Sequence, residues 1–123
     1  LDRTEKLKTY LTTLLENACS NVFYENSTDD APYPYIVYSL EHVKDEDKYN
    51  YDLEVHVWDK SISSKLVESI SDNVEFTLDG EYYTDSNQSL TLGLDTRISV
   101  PDQDKSLKHR RLLFDLQYYW KEG

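Results

Sequence analysis

Two long stretches of strict alternation constrain this chain more than any other feature in it. Tyr49, Tyr51, Leu53, Val55 and Val57 alternate with Asn50, Asp52, Glu54, His56 and Trp58. Near the end, Leu112, Phe114, Leu116, Tyr118 and Trp120 alternate with Arg111, Leu113, Asp115, Gln117 and Tyr119. A period of two sets every other side chain on the same face of an extended strand. Strands that are apolar on one side only belong in an antiparallel sheet with one face packed and the other left to solvent or a partner.

Other segments fill in the sheet. Leu90, Leu92, Leu94, Thr96, Ile98 and Val100 share one side of a further strand, which Pro101 ends. Tyr35 to Leu40 is apolar on both faces and predicts a central strand, paired as a hairpin with the strand at 49–58. Residues 43–48 are charged and predict the loop between them. Asp79-Gly80 stands between Phe76-Thr77-Leu78 and Glu81-Tyr82-Tyr83, which predicts a short two-residue hairpin because both turn positions need positive φ.

Two segments have helical period. Leu7, Tyr10, Leu11, Leu14, Leu15 and Ala18 form one stripe and predict a helix over about residues 3–18. Asp2 with Glu5 resembles a capping box at its start. Ser61 is the expected N-cap of a second helix, with Ile62, Leu66, Val67 and Ile70 inward and Asp72-Asn73 at its end. Residues 25–34, with Pro32 and Pro34, predict an extended connector. The expected fold is therefore α+β, a mainly antiparallel sheet with two helices packed on one face. Its order is α-β-β-α-(β-hairpin)-β-β, in one domain over 1–123.

Charge narrows the function classes. Twenty-four acidic against 13 basic side chains leave a net charge of −11. Global binding to a phosphate backbone or an anionic membrane is disfavoured at that balance, since both rest on lysine and arginine. No apolar run approaches the roughly 20 residues that span a bilayer.

No constellation for catalysis is found. His42 and His56 are expected at opposite ends of the hairpin, about 20 Å apart, which excludes a shared metal. His109 lies in a cationic run that disfavours a metal ion, so three surface histidines are expected. Asp45, Glu46 and Asp47 are consecutive in the expected loop and should be solvated, whereas acid–base work needs carboxylates held in different environments. Cys19 borders the first helical stripe without a CxxC motif or a neighbouring base, and predicts a small core thiol. There is no GxSxG, GxGxxG or GxxxxGK[ST]. A non-enzyme without cofactor is expected.

The charges are unevenly spread. Residues 41–59 hold seven acidic and two basic side chains, while 105–111 hold Lys105, Lys108, Arg110 and Arg111 and no acid. Ordinary surface scatter is one reading. The other is a head-to-tail contact between subunits, which builds a ring when the rotation closes.

Pro32-Tyr33-Pro34-Tyr35-Ile36-Val37-Tyr38 is similar to the proline–aromatic entry into the first strand of the tail terminator (minor tail, tail completion) proteins of long-tailed phages and prophages. Val55-His56-Val57-Trp58-Asp59-Lys60-Ser61, running into Leu66 and Ile70, resembles that family's strand–turn–helix segment. With the element order, the resemblance covers nearly the whole chain. It implies a ring, usually a hexamer, that caps the tail tube, stops its polymerisation and presents a surface to the head-side connector, with DNA crossing the lumen as passing cargo. It implies a place in the neck region of the virion tail, after assembly in the host cytoplasm. On that reading Asp45, Glu46, Asp47 and Lys48 belong to one subunit contact and Lys105, Lys108, Arg110 and Arg111 to another. Trp58 and Tyr119 become aromatic anchors, although Trp58 could equally staple its strand to the second helix. Two alternatives stay open: another head–tail connector or tail component, and an acidic inhibitor or antitoxin-like protein that masks a basic partner.

Overall fold

The computed structural model describes residues 2–45 and 48–121. In chain order the elements are α1 (Arg3–Leu15), β1 (Val22–Tyr24), β2 (Tyr35–Asp45), β3 (Lys48–Lys60), α2 (Lys65–Leu78), β4 (Tyr82–Thr84), β5 (Gln88–Val100) and β6 (Leu107–Trp120). The strands form one sheet in the order β1-β2-β3-β6-β5-β4. All neighbours are antiparallel except β1 and β2. The α+β expectation, with both helices on one face, holds.

The alternating sets explain which face is covered. Leu53, Val55 and Val57 of β3 sit level with Phe114, Leu112 and Arg110 of β6, and the aliphatic and aromatic members are fully buried. Val67, Ile70, Ser71, Val74 and Leu78 form the buried stripe of α2, which packs on β3, β5 and β6. Leu7, Leu11 and Leu15 are the buried stripe of α1. The Tyr38 hydroxyl reaches from the same sheet face to α1, donating to the Lys8 carbonyl at 3.0 Å and lying 2.7 Å from Thr12 Oγ1. That phenol satisfies its polar tip while burying its ring, so it fixes helix to sheet at little cost.

Several local expectations are corrected. The segment 43–45 is strand rather than loop, because β2 runs to Asp45 and β3 starts at Lys48, paired directly with it. The N-cap of α2 is Ser64, not Ser61; Ile62 is 97% exposed and Leu66 is exposed too. Asp72-Asn73 does not end α2, since the buried stripe continues to Leu78 and outweighs two weak helix formers. Asp79-Gly80 is the end of that helix and not a hairpin turn: Gly80, at φ +80°, takes the left-handed position after the helix, and β4 pairs with β5. Asp2 caps α1 without a side-chain bond.

The last correction is at β5. Its register slips between Leu94 and Thr96, so Asp95 is an extra residue and every later side chain changes face. Arg97 thereby turns towards α2, where it meets Asp72 at 2.7 Å, Glu75 at 3.2 Å and Glu68 at 3.6 Å. Ile98, expected inward, is 42% exposed on the opposite face. Arg97→Met is expected to cost about 1–2 kcal/mol, a charge-assisted network discounted for its partial exposure. Denaturation in urea at low and high salt checks this. The loss should shrink near 1 M salt, where repulsion among the stranded carboxylates is screened.

Candidate assembly surface

Neither α1 nor α2 covers the opposite face of the sheet, at whose edge the Tyr33 ring of the connector lies against Tyr35 at 5.3 Å. Strand parity sets its members: Tyr35 and Val37 of β2, Glu54, His56, Trp58 and Lys60 of β3, His109, Arg111 and Leu113 of β6, and Ile98 and Val100 of β5. Trp58 therefore points away from α2, which removes the reading of it as a staple to that helix.

A connected polar and aromatic cluster occupies this face. The Trp58 ring stacks on His109 with centroids 3.8 Å apart and planes 13° from parallel. His109 Nε2 lies 2.7 Å from His56 Nδ1, and His56 Nε2 lies 3.0 Å from Glu54 Oε1. Arg111 Nε donates to the same Glu54 oxygen at 2.8 Å. A carboxylate only accepts, so His56 carries a proton on Nε2; with both rings neutral, His109 Nε2–H donates to His56 Nδ1. Glu54 titrates below the usual range, chiefly because the Arg111 guanidinium bonds to it. Burial, then the neighbouring His56, pushes His109 down to about 4.

His109 is thus a correction to the expectation of three surface histidines: it is 8% exposed and walled in by Trp58 and His56. Diagonal pairing between β3 and β6 brings the two rings together, and neither strand's own sequence announces it. His42 lies five residues along β2 from the partner of His56 and on the helix-bearing face, stacked at 5.0 Å on Tyr51. Among the described residues, no three metal-ligating side chains converge. Cys19 is a buried thiol whose Sγ lies 3.5 Å from the Pro34 carbonyl; burial pushes its pKa up, the reverse of what activates a nucleophile.

The charged residues singled out from sequence separate in space. Arg110 bonds Glu68 of α2 at 2.6 Å on the covered face, while Arg111 bonds Glu54 on the bare one. Lys108 Nζ folds onto the Lys105 carbonyl at 2.7 Å, and Lys105 is exposed. The run 105–111 is therefore divided between faces by strand parity rather than gathered into one basic patch. Glu46 and Asp47 lie outside the described residues, and Asp45 and Lys48 close the backbone pairing of the hairpin. Tyr119 is exposed on the bare face, ten residues along β6 from His109, on the order of 30 Å away.

No family model matches the chain, and no curated protein does. Among solved structures, the chain is similar to one in a structure described as "Virion of native gene transfer agent (GTA) particle", with a TM-score of 0.66 at 13% identity. The likeness spans 85% of this chain and 84% of that one, and at this identity it shows the shared fold.

Proposed function

We propose that this chain is a structural protein of a phage-like particle, and within that class a tail terminator that forms a ring, a hexamer by family resemblance. The ring caps the tail tube, stops tube growth and offers its other side to the head-side connector in the neck. The observation that supports this most is the one-sided sheet: a layer of helices on one face, and opposite it a bare face carrying Trp58, Ile98 and Leu113. Apolar and aromatic side chains grouped on an uncovered face suit contact with another protein surface. The fold likeness to a chain of a gene transfer agent virion and the tail-terminator-like stretches at 32–38 and 55–61 support the same assignment.

The role is one of assembly rather than catalysis. DNA would pass the ring as cargo, and an acidic wall lets a polyanion slide because nothing holds its phosphates. A lumen lined by Lys and Arg would contradict this part. The acidic stretch 45–48, the exposed Lys105 and the half-buried Lys108 remain candidates for contacts to neighbours in the ring.

Purified tube protein polymerised with and without this chain tests the reading. Tubes of restricted length, with added density at one end by electron microscopy, are the expected result. Unchanged lengths and bare ends remove the terminator role. Binding to the connector alone, without tubes being capped, transfers the assignment to a head–tail connector.

A further inference from the structure

We propose that the open edge of β2 in one copy of this chain pairs with the open edge of β5 in the next, joining their sheets by backbone hydrogen bonds. This rests on the ring reading and names the surfaces that build the ring.

The two outermost strands are too short to cover their neighbours. β1 pairs with β2 only from Ile36 to Tyr38, and β4 with β5 only from Ser89 to Thr91. Along the covered part of β2 the outward groups are occupied. Ile36 N–H donates to the Asn21 carbonyl and the Tyr38 carbonyl accepts from Glu25 N–H, both at 2.8 Å. Every second residue of a strand turns its N–H and C=O to the same side. Leu40 and His42 therefore face outward next, and among the described residues they find no backbone partner there.

The far edge of the sheet repeats this. Leu92 exchanges outward bonds with Glu81 and Gly80, and Leu94 N–H donates to Asp79 Oδ1 at 2.9 Å. The extra residue Asp95 then shifts the phase, so Arg97 and Ser99 turn their backbone groups outward, again with no backbone partner among the described residues. Neither 39–43 nor 96–100 holds a proline or a lysine, and the bulge lies before the second stretch rather than within it. An edge without such devices is a template for another strand.

Geometry selects a second copy as that strand. Three antiparallel steps separate β2 from β5, so the two run in opposite directions. Copies related by rotation about a ring axis thus present β2 to β5 as an antiparallel pair. Matching outward groups and faces sets His42 opposite Arg97 and Leu40 opposite Ser99, with Glu41 opposite Ile98. No two carboxylates face each other in that register. Val100 then stops opposite Ser39, just past Tyr38, where β1 ends.

The open stretches also lie at diagonal corners of the sheet, so they cannot meet within one chain. His42 is level with Tyr51 of β3, whereas Arg97 is level, through Leu112, with Val55. That stagger of four residues is about 13 Å, against about 19 Å for the repeat β2-β3-β6-β5. Joining the edges tilts the strands by roughly 35° to the ring axis, the tilt at which a sheet closes into a cylinder. A symmetric pairing of β2 with β2 would leave every β5 edge open. The β2–β5 contact is heterologous and covers both.

His42→Pro and Ser99→Pro each delete one outward N–H at an exposed edge position, where proline is tolerated (folding checked by circular dichroism). In sedimentation velocity the wild-type chain is expected to associate, and either variant to weaken association about tenfold or more. His42→Ala and Ser99→Ala keep the N–H and should change it less than about threefold. An equimolar mixture of the two proline variants should form dimers and nothing larger, because one productive edge survives on each. A Glu41→Cys/Ile98→Cys double variant treated with a bis-maleimide should give a ladder of multimers, with buried Cys19 inert in the wild-type control.

Wild-type association that neither proline weakens overturns the edge pairing and leaves the ring reading standing. Dimers from Glu41→Cys or Ile98→Cys alone also overturn it, since they mean a symmetric contact. A chain that neither associates nor gives the ladder overturns it as well, and the tube-capping experiment then decides the ring reading separately.

Discussion

Replacing Phe114 with alanine is expected to lower stability by about 3–5 kcal/mol, the range for a large side chain lost from a packed interior. Phe114 sits in β6 between Leu53 of β3 and Leu94 of β5, fully buried on the face that α2 covers. Strands pinned on both sides cannot close around the space left behind, so the cavity term should be large. A chain of this size has total stability on the order of 5–15 kcal/mol, and the loss corresponds to a fall in Tm of roughly 12–20 °C. The adjacent Leu113→Ala is the control. Leu113 points to the bare face and is only half-buried, so it should cost under about 1 kcal/mol. Urea denaturation of both variants gives the contrast directly. Equal losses would mean that the face carrying Trp58 is covered in the free chain, and the bare-face account would fall.

Much of this architecture is legible in the chain, and the illegible parts share a cause. The alternations at 49–58 and 112–120 report faithfully which side chains meet the helices, because burial acts on each strand with its own period. The alternation at 90–100 reports only its first half. Asp95 is an extra residue relative to β6, and nothing in β5 alone reveals that Arg97 will turn to meet Asp72 and Glu75. Asp79-Gly80 was ambiguous for a different reason. A left-handed glycine serves a tight hairpin and a helix end equally, and the deciding fact is the burial of Val74 and Leu78 beneath α2. At the candidate surface, the outward direction of Trp58 follows from its alternation with Val57. Its stacking on His109, and the pairing of His109 with His56, depend on the β3–β6 register, a tertiary fact.

The buried His109 should make folding stability depend on pH between about 4 and 6.5. Its folded-state pKa is about 4, against 6.5 for the ordinary side chain, because burial and the facing His56 both penalise its charged form. Arg110 adds to that penalty, and Asp102 opposes it without reversing it. The unfolded chain therefore binds the extra proton first. Stability is fully present above about pH 6.5, is lost as the pH falls towards 4, and levels off below that. The full depression corresponds to roughly 3 kcal/mol. Glu54, held below the ordinary carboxylate range by the Arg111 guanidinium, loses its contribution at lower pH, so the histidine dominates measurements between about pH 5 and 6.5. His109→Phe keeps a ring to stack on Trp58 and removes the titration. Urea midpoints of the wild type should fall steadily across that interval, whereas those of the variant should stay nearly level. A ring proton of His109 that titrates near 6.5 in NMR, or parallel slopes for the two proteins, would show that the imidazole is solvated and that the Trp58–His109–His56 stack is open in solution.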